Sequence, residues 1–232
     1  MKKMLKGVIF DFNGTLFFDT EMHETAWRQY ARTLCGRDIT DDEFRDCIHG
    51  RTNADILAYF LGGRLREAEI ARHSEAKEAQ YRQICLRMND RLRLADGACE
   101  LLDELRDAGV PVAVATSSGR SNTRFYWERF DLGRWFDQNT FVFNDGSIPG
   151  KPAPDIYRAA AGAIRLAPSE CVVFEDMPSG IAAAAAAGAG RIIAVASSLS
   201  REFLLSVAGV EEAIPDFTGE DFRQHLLDML NG

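Results

Sequence analysis

Cysteine, lysine and long apolar runs are all scarce in this chain, and each scarcity excludes something. The five cysteines (Cys35, Cys47, Cys85, Cys99 and Cys171) are scattered, odd in number and form no CxxC pair. A disulfide framework is not supported, so buried free thiols in a reducing compartment are expected. The N-terminal MKKMLKGVIFDF starts with lysines, but Asp11 cuts the following apolar run too short for a signal peptide. The least polar stretch, Ile181 to Gly190, is rich in Ala and Gly and soon meets Arg191. It falls well below membrane-spanning length. Positive charge is also in deficit, with 27 basic residues against 35 acidic ones and a formal net charge of −8. That balance argues against nucleic acid or an anionic membrane as the partner. A cytoplasmic protein is expected, as a monomer or weak dimer.

What is present describes an ordinary globular chain: 232 residues, 46% hydrophobic and 27% charged. After residue 95 two textures alternate. Short β-branched runs at 110–117, 171–176 and 191–196 read as buried strands, and GVIFDF at 7–12 has the same texture. Between them lie helical patterns. Ala98, Leu101, Leu102, Leu105 and Ala108 share one helix face, with Gly109 as the stop. Further helices are expected over 121–130, 153–165 and the alanine run 179–187, the last packed closely on the sheet. Strands alternating with helices imply βαβ units and a parallel, Rossmann-like α/β sheet. Residues 17–90 differ in showing no convincing strand. Helices are expected near 20–34, 41–48, 52–61 and 65–88, with Gly36, Gly50 and Gly62–Gly63 as breakers. The organisation is therefore a core domain of 1–16 and 91–232 with an inserted helical domain of 17–90.

Ligands of open parallel sheets bind beyond the carboxyl ends of the strands. The first strand delivers Asp11 and Asn13 there, the strand at 112–116 delivers Thr116, Ser117 and Ser118, and the strand at 171–174 delivers Glu175 and Asp176. Buried, unpaired carboxylates are costly. A hard cation with oxygen ligands, magnesium above all, would relieve their repulsion. Only five lysines stand against 22 arginines, and Lys151 alone lies in a turn-rich loop of the core, GSIPGKPAPDIY. A lysine is a compact charge able to bind phosphate or quiet a carboxylate. Pro154 is placed to start the next helix.

Taken in order, DFNGTL (11–16), ATSS (115–118), GKPAPD (150–155) and FEDMPSG (174–180) resemble the four motifs of haloacid-dehalogenase-superfamily phosphotransferases. The segment around Asp19, Thr20, His23, Ala26 and Trp27 looks like the start of the helical cap in the β-phosphoglucomutase-like branch. The resemblance implies a magnesium-dependent phosphohydrolase acting on a small phosphorylated metabolite, such as a sugar phosphate. It makes Asp11 the nucleophile that becomes an aspartyl-phosphate. Thr116, Ser117 and Lys151 hold the phosphoryl oxygens. Asp11, the Asn13 carbonyl, Glu175 and Asp176 form the metal site. The inserted helices act as a lid that excludes water and chooses the substrate.

Asn13 departs from the family pattern, which places a second aspartate there as general acid. An amide cannot deliver a proton at neutral pH, so turnover of alkyl phosphates is expected to be slow. An engineered replacement, a substitute acid among His23, Asp19 and Glu24, and a naturally slow enzyme are all compatible with it. Arg51 is the expected substrate contact of the insert. By the same resemblance, the mutase's phosphate-gripping arginine falls on Asn53, which favours a hydrolase over a β-phosphoglucomutase-like isomerase. A carbon–phosphorus hydrolase would need an insert lysine, and Lys77 alone is available. Outside enzymes, the alternative is a phosphometabolite-binding protein whose catalysis was lost with Asn13.

Overall fold

A computed structural model describes residues 4–48 and 51–231; the expected breaker Gly50 lies outside them. The chain forms two compact units, one running to Phe18 and resuming at Arg93, the other spanning Asp19–Leu92. These seams fall two residues later than the sequence reading at both crossings. Phe17 belongs to the first unit because its fully buried ring packs on Phe130, with centroids 4.9 Å apart.

The first unit is built on six parallel strands: β1 (Gly7–Phe10), β2 (Val112–Thr116), β3 (Phe141–Phe143), β4 (Cys171–Glu175), β5 (Arg191–Val195) and β6 (Glu212–Ile214). Their order across the sheet is β3-β2-β1-β4-β5-β6, the doubly wound arrangement in which the chain reverses beside β1. Alternate residues of each strand face opposite sides. Ile9, Ala113, Ala115 and Val173 pack with Ile156, Tyr157 and Ala160 from one helix and Ile181 and Ala184 from another. Those helices occupy Asp155–Ala163 and Pro178–Ala187. On the opposite face Phe10 stacks on Phe174 at 5.1 Å, with Phe217 edge-on to both. Both faces being dry explains why these strands read as continuous apolar runs.

The second unit holds α1 (Thr20–Cys35), α2 (Asp41–Cys47), α3 (Asn53–Leu61) and α4 (Glu67–Arg87) and no strand among the described residues. Thr40 and Thr52 cap α2 and α3 by accepting hydrogen bonds from the Glu43 and Asp55 amides. Gly36 and Gly62 end α1 and α3 in the left-handed conformation. Trp27, Tyr30, Ile39, Ile48, Ile56 and Leu57 form this unit's own core. The remaining helices are α5 (Ala98–Asp107), α6 (Arg120–Phe130), α7 (Asp155–Ala163), α8 (Pro178–Ala187), α9 (Arg201–Ser206) and α10 (Glu220–Asn231). Strands β3 and β6 and helices α9 and α10 were not anticipated. The two strands are three residues long and lie at the sheet edges, too short to show a period. Among the described residues, no helix is long and apolar enough to cross a membrane.

Candidate active site

Asp11 follows directly on β1, and its amide donates to the Phe174 carbonyl at 2.9 Å. Pairing with β4 thus continues one residue past the strand and sets Asp11 level with Glu175. Lys151 arrives on the loop between β3 and α7, where Pro154 is the N-cap of α7. Its ammonium donates at 2.6 Å to Asp11 Oδ1 and at 2.6 Å to Glu175 Oε1. Glu175 is held on every side. Its Oε1 also accepts from the Tyr157 hydroxyl at 2.8 Å, and its Oε2 accepts from the amides of Asp176 and Met177 at 2.9 and 3.0 Å. Gly180, in the first turn of α8, makes room for this carboxylate. A Cβ there would lie 1.6 Å from Glu175 Oε1.

The electrostatics follow from burial. Asp11, Glu175 and Asp176 are all buried and can bring one oxygen each to within 4.8 Å of one another. Burial pushes the Asp11 carboxyl up to about 7, against the pull of Lys151 and with help from Glu175. Burial works to lower Lys151 as well, but the two carboxylates more than offset it and hold the ammonium above its ordinary range. Burial, then Glu175, raises the Tyr157 phenol well above its usual value. Three carboxylates against one lysine leave surplus negative charge in a dry site. An all-oxygen donor set with that surplus fits a hard dication. Glu175 already accepts four hydrogen bonds, so it is suited to positioning Lys151 rather than to binding the ion.

Asn13 occupies a second cluster. Its Nδ2 donates to the Tyr126 hydroxyl at 2.8 Å, and its Oδ1 accepts from Ser118 Oγ at 2.8 Å and Thr116 Oγ1 at 3.3 Å. The Ser118 amide in turn donates to Thr116 Oγ1. Gly14 must be glycine here on two counts. Its φ is +78°, and a Cβ would sit 2.0 Å from Asp176 Oδ2.

The core unit thus brings Asp11, Lys151, Glu175 and Asp176 together, with Asn13 and Thr116 joined by their own hydrogen bond. Ser117 is exposed at the rim, and Ser118 supplies the hydroxyl that meets Asn13. Ser118 was expected at this strand end but was given no role, and Tyr126 and Tyr157 were missed as site residues. The Tyr126 ring is buried, and its hydroxyl meets Asn13. Tyr157 lies six residues past Lys151, but nothing in the sequence marks its hydroxyl as aimed at Glu175.

His23 and Arg51 belong to the helical unit. His23 stacks on Tyr81 at 3.9 Å, and its Nδ1 lies 2.7 Å from the Lys77 ammonium. Its Nε2 is 3.3 Å from Asp19, which also accepts from the Tyr81 hydroxyl. Lys77 is buried, donates to Glu78 at 3.0 Å, and has its pKa lowered by burial. Arg51 is exposed, with Nη2 donating to the Asp46 carbonyl at 3.3 Å, and Asn53 donates to Glu78.

A family model described as haloacid dehalogenase-like hydrolase matches residues 5–188, which takes in every strand-end residue above. The chain belongs to that family. Hexitol phosphatase A of Escherichia coli is 34% identical to this hydrolase over 190 residues, 82% of each chain. Phosphorylated carbohydrates phosphatase of Thermotoga maritima is 30% identical over 209 residues, 88% of this chain and 92% of its own. Among solved structures, a family IA, variant 3 HAD hydrolase from Entamoeba histolytica superposes with a TM-score of 0.89 at 35% identity. That match covers 98% of this chain and all of the other.

Proposed function

We propose that this HAD-family hydrolase is a magnesium-dependent phosphatase of small phosphorylated metabolites, with sugar phosphates first among them, working through an aspartyl-phosphate on Asp11. The observation that carries the reading is Lys151 bridging Asp11 and Glu175 at the carboxyl ends of the central strands β1 and β4. The two phosphatase relatives, one named for hexitols and one for phosphorylated carbohydrates, support the substrate class.

In this reading Asp11 attacks the phosphorus, and burial favours the attack by stripping water from its carboxylate. Lys151 offsets charge on both nucleophile and phosphoryl oxygens, and Glu175 and Tyr157 fix its position. Thr116 adds a hydroxyl at the neighbouring strand end. Asp11, Asp176 and the Asn13 carbonyl would hold magnesium, with Glu175 behind them. When bound, the ion reduces repulsion between the carboxylate and the phosphate. The inserted helical unit would serve as the lid, with His23 and Arg51 as its candidate substrate contacts.

The test is phosphate release from a sugar-phosphate panel with magnesium or with EDTA, for the protein and its Asp11→Asn variant. Release that needs magnesium and falls to background in the variant is expected. An Asp11→Asn protein that keeps its rate would overturn the assignment.

A further inference from the structure

We propose that residue 13 is a fixed, non-ionising strut, and that the site therefore selects phosphate compounds by leaving group. It favours those whose departing oxygen is a weak base (aryl, acyl or anomeric) over esters of primary alcohols. This rests on the phosphohydrolase reading above and narrows its substrate class.

Both ends of the Asn13 amide are engaged, Nδ2 by Tyr126 and Oδ1 by Ser118 and Thr116. Tyr126 is itself fixed, its ring fully buried and stacked on Phe12 with centroids 4.6 Å apart. The amide is thus tied toward β2 and α6, and near neutral pH it has no proton to give. The surrounding donors are directed at protein acceptors. Lys151 donates to Asp11 and Glu175, Tyr157 to Glu175, and the Ser118 and Thr116 hydroxyls to Asn13.

The consequence follows from the bonds exchanged. An Asp11 oxygen bonds to phosphorus while the bond from phosphorus to the leaving oxygen breaks, its electron pair going to that oxygen. With residue 13 unable to supply a proton, the oxygen departs as an anion and takes its proton from water. A water molecule then cleaves the aspartyl-phosphate, giving inorganic phosphate and the free carboxylate. One ester and one water yield one alcohol and one phosphate. Because the first step places full charge on the leaving oxygen, its rate depends steeply on that oxygen's basicity.

The experiment measures kcat/KM, with magnesium, over a series of substituted phenyl phosphates extended by glucose 1-phosphate and glucose 6-phosphate. The protein is compared with its Asn13→Asp and Asn13→Ala variants, each checked by thermal melting. A steep fall with leaving-group pKa is expected in the protein and in Asn13→Ala. Asn13→Asp should flatten it by gaining about 10²-fold or more at the basic end. A shallow dependence in the unmodified protein would overturn the inference while leaving the phosphatase reading intact, and would mean that a proton arrives from elsewhere, His23 included. An Asn13→Asp variant that melts normally without flattening the dependence would also overturn it. Should Asn13→Asp not fold, the slopes of the other two proteins decide. No phosphate release from any compound would sink the phosphatase reading itself, and the inference with it.

Discussion

At the scale of single residues, Lys151 decides the character of the site. Its side chain is buried between two carboxylates, and removing it would strand both charges. Breaking a buried ion pair from one side costs about 3–5 kcal/mol, so Lys151→Met should lose stability of that order in urea denaturation at pH 7. The sign of the pH dependence is fixed. Without the cation, the Asp11 carboxyl, already pushed up to about 7 by burial, rises further above its value in the unfolded chain. The folded state then binds more protons, and the deficit should shrink as pH falls. Adding Glu175→Gln to Lys151→Met should recover part of the loss, and a double variant no more stable than Lys151→Met alone would contradict this account. Lysine scarcity made this residue visible in the sequence. Tyr157, only six positions further on, was not visible, because nothing in a sequence tells a buried phenol from one aimed at a carboxylate.

At the scale of elements, two glycines on neighbouring helices should respond oppositely to the same substitution. Gly180 begins α8 against Glu175, and an added methyl would collide with a carboxylate held by four hydrogen bonds. Gly162 lies in α7 with nothing within 4 Å of the added atom. Gly162→Ala should therefore stabilise the protein by up to about 1 kcal/mol through helix propensity. Gly180→Ala should destabilise it by about 1–3 kcal/mol, overpacking outweighing the same propensity gain. Parallel melting curves check both signs, and a stabilised Gly180→Ala would mean that Glu175 is not held as described. The alanine run of α8 was legible as a helix lying close on the sheet, since Ala183 and Ala184 are fully buried in that layer. What it leaves room for at its first turn was not legible.

At the scale of the whole molecule, the core unit gathers surplus negative charge at one end of its sheet, and ion binding there should be linked to folding. Anything that binds the folded state alone stabilises it by mass action, about 2.7 kcal/mol at a hundredfold excess over Kd. Magnesium should accordingly raise the melting temperature relative to EDTA, and Asp176→Asn should blunt that rise. An equal shift in the variant would place the ion elsewhere. This readout does not depend on turnover and separates metal binding from catalysis.

The sequence by itself determined the parallel α/β class, the helical insert and the four motif positions. Buried strands and amphipathic helices carry periods readable over short windows, and motif residues sit at fixed offsets from strand ends. It misjudged the edges, because β3 and β6 are three residues long and carry no period. Only the tertiary structure decided which hydroxyl meets Asn13, and that Tyr126 holds the amide from the other side. Those partners lie 105 and 113 positions away in the chain. Hydrogen bonding acts over about 3 Å of space, and spacing along the chain carries no record of which distant groups the packed sheet brings within that reach.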